Sequence, residues 1–325
     1  IGLYCVKELL NKGYKVKGTV RNSSKQNEVI NTFKKNKINI KNLEFEILDL
    51  TSDNGWDNAI EGCDFVMHVA SPFRIAIPKN EDEMILPAVE GTRRVLKASQ
   101  KAGVKRIVLT SSILSMMSSI RRGQFGPKDW TDINYPNLST YIKSKTLAER
   151  SAWDFINKNK EKSKMDLVVI APGGVFGPPL GDNITCESLN ILSKVLNGKI
   201  PMVPDAAFPM VDVRDVAKLH VQALTNSKVS GKRFIASGTN PVSFADVAQF
   251  LINQGYKGPS NKIAPNWFFK FLSMFDREAK GMLALLGINM TADNSDTIKT
   301  FTWTPIPFEK TVIETANSIK MIQTK

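Results

Sequence analysis

Apolar positions at Leu3, Val6, Leu9 and Leu10 recur at helical spacing and stop at Gly13, which predicts a short helix over residues 1–13. Residues 14–20 then alternate as a strand. A lysine-rich helix and turn follow, then a strand at 44–50 and a short helix at 56–60. Asp64-Phe-Val-Met-His-Val-Ala70 and Arg106-Ile-Val-Leu-Thr-Ser-Ser112 are nearly continuous apolar runs, as expected of parallel strands buried on both faces. Between them a helix spans 81–102 and closes at Gly103; beyond them come a helix through 137–149 and a strand at 166–172. Strand and helix alternate through the first 172 residues, the signature of a doubly wound parallel α/β sheet.

After Pro172 the pattern changes. Gly173-Gly-Val-Phe-Gly-Pro-Pro179 is rich in breakers, residues 188–197 are helical, and Val211-Asp-Val-Arg-Asp-Val216 leads into another helix. Lys232-Arg-Phe-Ile-Ala-Ser-Gly238 reads as a strand returning to the sheet. From Asn240 onward helices broken by Gly and Pro predominate. The expected division is a dinucleotide-binding domain over 1–172 with a returning segment at 209–238, and a smaller, mainly helical substrate lobe from 173–208 and 239–325. In such a fold a Gly-rich turn joins the first strand to the first helix and meets the pyrophosphate of a dinucleotide. Only Ile1 and Gly2 precede the helix here, so the first strand, which would lie at the sheet centre, is expected to be missing from this sequence. Gly2 then matches the last glycine of the turn, where close helix packing needs a missing side chain.

Composition narrows the partners. The 325 residues are 42% hydrophobic and carry a net charge of +13, which raises the question of nucleic acid. The cations are scattered, however, and their densest run, at 157–164, sits at an expected helix end without interleaved aromatics, where lysines complement the helix dipole. A nucleic-acid partner is therefore not expected, although the surplus favours an anionic cofactor. Cys5, Cys63 and Cys186 have no paired spacing and no histidine cluster, which fits a reducing, cytoplasmic compartment and gives no metal site. No apolar run approaches the ~20 residues that span a bilayer. The most hydrophobic stretch, 267–288, is interrupted by Lys270, Asp276, Arg277, Glu278 and Lys280 and reads as amphipathic helices over a pocket, with no stable membrane insertion. There is no signal peptide, and because the chain starts at Ile1 rather than Met, an N-terminal segment with any targeting information is expected to be lost. The expected assembly is a monomer or homodimer.

The candidate chemistry centres on Tyr141 and Lys145, which a helix stacks on one face. An ammonium beside a phenol stabilises the phenolate and makes tyrosine a usable general acid. Five tyrosines among abundant lysines would give one such pair by chance about four times in ten, so the pair counts only with its surroundings. Ser112, at the carboxyl end of a strand, can hydrogen-bond the same carbonyl oxygen that Tyr141 protonates, with Ser111 and Ser115 as local competitors. Lys145 can also hold nicotinamide ribose hydroxyls. The end of the second expected strand offers Arg21, with Lys25 four residues on and no acid beside them, which favours the 2′-phosphate of NADP over the 2′-hydroxyl of NAD. Asp49 sits where a side chain could contact adenine, and at Ala70-Ser71-Pro72 the backbone could pass close to the phosphates. His68 reads as a core residue without chemistry.

Val-Leu-Thr-Ser-Ser112, Tyr141-Ile-Lys-Ser-Lys145-Thr-Leu-Ala-Glu149, Val-Met-His-Val-Ala-Ser-Pro72, Ala-Pro-Gly-Gly-Val-Phe-Gly-Pro178 and Val-Asp-Val-Arg-Asp-Val216 occur together. In this combination the chain resembles the extended short-chain dehydrogenase/reductases, in the group of dihydroflavonol-4-reductase-like and aldehyde reductases. The resemblance covers nearly the whole chain. It implies a Rossmann-type fold and a catalytic trio of Ser112, Tyr141 and Lys145. It also implies Arg21 and Lys25 near the 2′-phosphate, Asp49 and Leu50 at the adenine, and Val69, Ala70, Ser71, Pro172 and Val175 along the dinucleotide. The cofactor implied is NADPH and the partner a small-molecule carbonyl substrate. Two departures bear on the substrate. The signature resembling cinnamoyl-CoA reductases before the tyrosine is replaced by Pro-Asn-Leu-Ser-Thr140, and residues 113–130 carry Met116-Met117 and Arg121-Arg122 rather than a dihydroflavonol pattern. A general aldehyde or ketone reductase is the reading adopted. The alternatives are an epimerase or hydroxysteroid dehydrogenase of the same family, and a non-catalytic dinucleotide-sensing module, which would be expected to dispense with the Tyr/Lys pair.

Overall fold

The computed structural model describes residues 1–324. Its strands, in chain order, are β1 (Val16–Val20), β2 (Leu43–Ile47), β3 (Phe65–His68), β4 (Arg106–Thr110), β5 (Arg122–Phe125) and β6 (Asp166–Pro172). They continue as β7 (Gly174–Phe176), β8 (Ala207–Asp212), β9 (Arg233–Ala236), β10 (Pro241–Ser243) and β11 (Asn289–Ala292).

The apolar runs do what their patterning dictates. β3, β4, β6 and β9 form one parallel sheet in that order, with Phe65 opposite Arg106, Arg106 opposite Asp166 and Val169 opposite Arg233. Successive side chains point to opposite faces. Ile107, Leu109, Leu167 and Val169 therefore meet the helices Asp82–Lys101 and Thr140–Lys158 on one side. Val108, Val168 and Ile170 meet the helix Val213–Thr225 on the other. β1 and β2 pair in parallel as a separate two-stranded unit, and no strand among the described residues bridges them to β3. Because every strand of both units runs the same way within its sheet, the carboxyl ends of β3, β4, β6 and β9 share one edge.

The second lobe departs from expectation in its strands. Helices do predominate after Asn240, but a five-stranded mixed sheet, β10-β8-β11-β5 with β7 on β8, knits this part of the chain. Only β9 of the returning segment joins the main sheet; Ala207–Asp212 belongs to the second. These strands are three to six residues long and draw partners from distant segments, so the local pattern carried little of them. Met116 and Met117, which matched no substrate pattern, are fully buried where β5 and β11 pack near Ala171 and Ile235.

Gly173 sits on the seam between the two sheets. A Cβ there would lie 2.3 Å from Pro209 O and 2.9 Å from Ser237 Cβ, and backbone cannot retreat as a flexible side chain can. Gly173→Ala is expected to cost about 1–3 kcal/mol through overpacking, read as a lower denaturant midpoint with an unchanged slope; an unchanged midpoint would show that the seam yields.

Candidate active site

Tyr141 lies in the first turn of the helix Thr140–Lys158, whose N-cap Ser139 accepts a hydrogen bond from Ile142 N at 3.3 Å. Ser112 lies two residues beyond β4, and its Oγ accepts from Leu114 N at 3.2 Å. The helix packs against the segment after β4, which brings the Ser112 hydroxyl beside the Tyr141 phenol, close enough to favour its ionised form. Among the three serines proposed for this place, the other two are otherwise engaged. Ser111 Oγ and Ser115 Oγ both donate to Glu149 Oε2, the latter at 2.9 Å.

Lys145 is buried one turn along the same helix, and its Nζ donates to Thr110 O at 2.9 Å. Burial lowers its pKa to about 8, opposed by the charge of Glu149 a further turn on. The phenol is not acidified as the helical spacing suggested. Burial pushes Tyr141 up to about 12, with the Ser112 hydrogen bond the one counter-effect. The reason is that the ammonium is aimed at the Thr110 carbonyl and is itself weakened by desolvation. Phe73 stacks on the tyrosine with ring centroids 4.4 Å apart and a tilt of 39°, and is itself 43% exposed.

Both histidines of the chain are buried and neutral, with pKa lowered to about 4 chiefly by desolvation. His68 Nε2 is 3.2 Å from Thr92 Oγ1, as befits a core residue. His220 Nδ1 lies 2.8 Å from Val216 O, which can only accept, so Nε2 carries the lone pair that takes the Thr110 hydroxyl at 2.6 Å. Thr110 is thus fixed from both sides, by its hydroxyl to His220 and by its carbonyl to Lys145.

The residues expected to line a dinucleotide end the parallel strands. Arg21 follows β1, is exposed, and acts on Asp49 after β2; Asp49 is held below its ordinary pKa by hydrogen bonds from Thr51 Oγ1 and N. Leu50 O accepts from Arg94 Nη1 at 2.6 Å. Val69, Ala70 and Ser71 follow β3, Pro172 closes β6, and Val175 pairs with Val211 between β7 and β8. One expectation needs correcting. Lys25 has an acid beside it after all, Glu28 at 2.6 Å on an exposed helical turn, so of the two cations Arg21 is the one without an ion-pair partner among the described residues. A Cβ on Gly2 would meet nothing within 4 Å among the described residues.

Beneath the trio lies a cluster that sequence reasoning missed. Glu149 and Arg233, both buried, pair at 2.5 Å through Oε1 and Nε. Arg233 Nη1 also donates to Pro127 O and Asp129 O, each at 2.7 Å, and its guanidinium lies 3.8 Å from the centre of the Trp130 ring. The pair ties the helix Thr140–Lys158, the head of β9, the two serines flanking Ser112 and the segment after β5 into one unit. Its signal was the helical series 141, 145, 149, which continues past the lysine; Arg233 gave none beyond a charge at the head of an apolar run.

Glu149→Gln leaves the Arg233 charge buried without a counter-charge, and is expected to cost about 3–5 kcal/mol of stability. The same change removes the charge that favours the Lys145 ammonium, so the loss of turnover above pH 8 should move to lower pH. Denaturant unfolding and the pH dependence of kcat/KM check the two effects, and an unmoved alkaline limb would separate Glu149 from Lys145.

With this geometry in view, the model of the 3-beta hydroxysteroid dehydrogenase/isomerase family matches residues 1–264. A putative NADPH-dependent methylglyoxal reductase of Candida albicans is 35% identical over 250 residues, covering 71% of this chain and 73% of that one. An anthocyanidin reductase of Vitis vinifera is 32% identical over 79% of each. In three dimensions the chain is similar to yeast methylglyoxal/isovaleraldehyde reductase Gre2 complexed with NADPH, at TM-score 0.80, 25% identity, and 99% and 95% coverage of the two chains. Gre2 of Candida albicans, also complexed with NADPH, gives TM-score 0.79 at 26% identity, with 98% and 95% coverage. The strand order, the placement of Ser112, Tyr141 and Lys145, and these likenesses converge: the chain belongs to the 3-beta hydroxysteroid dehydrogenase/isomerase family.

Proposed function

We propose that the chain is an NADPH-dependent reductase of small aldehydes and ketones. The observation that carries this is the Ser112 hydroxyl beside the Tyr141 phenol at the sheet edge where the parallel strands end, with Lys145 buried one helical turn away. The residues fit a dinucleotide phosphate: at the end of β1 Arg21 offers a cation without an ion-pair partner among the described residues, and the first turn of the helix Gly2–Asn11 carries no side chain at Gly2. Arg21, with Lys25 nearby, would hold the 2′-phosphate, Asp49 and Leu50 the adenine side, Val69, Ala70, Ser71, Pro172 and Val175 the length of the dinucleotide, and Lys145 the nicotinamide ribose. When bound, NADPH supplies the hydride.

The protein's own residues handle the oxygen. Ser112 hydrogen-bonds the substrate carbonyl, and Tyr141 gives its proton as negative charge develops there. An alkoxide is a stronger base than a phenolate, so a phenol near pKa 12 can still protonate it and stays fully protonated at neutral pH, the form reduction needs. Lys145 then returns a proton to the tyrosine. Oxidation of an alcohol, the reverse step, uses the phenolate instead. The cysteines are all free, consistent with a reducing, cytoplasmic setting, and no helix among the described residues is long and apolar enough to cross a membrane.

Tyr141→Phe should lower kcat by about 10²–10⁴-fold with methylglyoxal or isovaleraldehyde and leave NADPH binding within a few fold; unchanged reduction would remove Tyr141 from the chemistry. Arg21→Ala should raise KM for NADPH by about tenfold, the equivalent of 1.4 kcal/mol, without a comparable rise for NADH. Equal effects on both cofactors would mean that Arg21 does not read the 2′-phosphate.

A further inference from the structure

The helix Asn266–Leu272 reads Asn-Trp-Phe-Phe-Lys-Phe-Leu, and not one of its residues is buried. A helix with five apolar residues in seven is ordinarily enclosed by protein or by lipid. Here Trp267 is 69% exposed and Phe271 52%, and the turn that follows leaves Met274 at 66% and Phe275 at 78%. Trp267 and Phe271 recur at i and i+4 on one side of the helix with Lys270 among them, and in the turn beyond it the Phe275 ring lies 5.5 Å from that of Phe271. Ile263, just upstream, is also half exposed. Scattered apolar residues on a surface need no explanation, but this many within thirteen residues do.

The charges around the patch have one sign in excess. Residues 262–280 carry Lys262, Lys270, Arg277 and Lys280 against Asp276 and Glu278. Glu278 is engaged by Lys194 at 3.0 Å, and Asp276 caps the next helix through Ala279 N at 2.8 Å. None of the four cations has an ion-pair partner among the described residues. Tryptophan and phenylalanine beside unpaired lysines is the composition of segments that lie in a membrane interface, where aromatic rings sit at headgroup level and lysine stems snorkel. At seven residues the helix is roughly 10 Å long and cannot span a bilayer.

We propose that the segment from Ile263 to Phe275 is a docking surface for an anionic lipid bilayer. Its aromatic side chains enter the headgroup layer while Lys262, Lys270, Arg277 and Lys280 face the lipid charge. A second copy of the chain is a poorer occupant. A two-fold contact through this patch would set the same unpaired cations against themselves. The net charge of +13 reinforces both arguments. The surface adjoins the catalytic mouth, since Ile77 N donates to Arg277 O at 3.2 Å and Ile75 leads back to Phe73 on the tyrosine. Docking therefore requires no catalytic residue, yet brings the site near carbonyl compounds dissolved in the bilayer.

Flotation with vesicles of phosphatidylcholine, with and without phosphatidylserine, tests this on the full chain. The expected result is binding to the anionic vesicles alone, with tryptophan emission shifted to the blue. Binding should fall at least about tenfold in Trp267→Ala/Phe271→Ala/Phe275→Ala, and also in Lys270→Glu/Lys280→Glu, which keeps the aromatics. Circular dichroism and unfolding of both variants should match the unaltered chain, because the side chains removed are exposed. Failure to bind anionic vesicles at low salt would overturn the proposal, and so would undiminished binding by the aromatic variant, which would assign the attraction to net charge alone. A concentration-dependent dimer that the aromatic variant dissociates would likewise overturn it and give the patch to a second copy.

Discussion

Burying β4 and β6 on both faces is the constraint from which the rest of this molecule follows. A parallel strand covered on two sides must be apolar at successive positions, and Ile107, Val108 and Leu109 with Leu167, Val168 and Val169 meet that demand, each no more than 5% exposed. Parallel pairing needs helical crossovers, and those crossovers are the helices that cover the sheet. It also brings all the carboxyl ends to one edge. Ser112, Ser71 and Pro172 come from separate parts of the sequence, and they converge because their strands have a common direction rather than because anything attracts them to one another.

The polar side of the same design is the Glu149–Arg233 pair. Two charges removed from water gain little unless their remaining hydrogen-bonding capacity is met. Here Glu149 accepts from Ser111, Ser115 and Trp153 besides Arg233, and Arg233 donates to two carbonyl groups and lies over Trp130. A pair so fully satisfied fixes four segments relative to one another. It also places a negative charge two turns along the helix from Tyr141, where it favours the protonated form of Lys145.

The sequence made the covered strands legible because burial on both faces demands apolar residues at successive positions and so leaves an unmistakable apolar run. Helix arithmetic made Tyr141 and Lys145 legible for a similar reason, and family likeness placed Ser112 ahead of Ser111 and Ser115 before the Glu149 hydrogen bonds gave a physical reason. Strands β5, β7, β8, β10 and β11 were obscure because each is short and stabilised by partners far away in the chain, so nothing local records them. Phe73 was obscure because a lone aromatic in a loop has no period. The direction of the Tyr141 shift was misread for a different reason. Spacing puts a charge within reach of a phenol, but burial acts on both groups at once, and the orientation of Nζ toward Thr110 cannot be read from spacing.

That misreading bears on how the site works. Desolvation penalises whichever form is charged, so it raises a phenol and lowers an ammonium together. With Tyr141 pushed up to about 12 and Lys145 lowered to about 8, the lysine is the stronger acid of the two, the reverse of the order of the free side chains. In the reduction proposed for this site, a tyrosinate formed when a substrate oxygen takes the phenolic proton would then be a base beside a better acid, and the return of a proton from Lys145 to Tyr141 would run downhill. An acidified tyrosine would have weakened this second step, because a phenolate made stable by its lysine has less reason to take the lysine's proton. In that proposed reduction, the burial that defeats the expected acidification would also give the relay its direction.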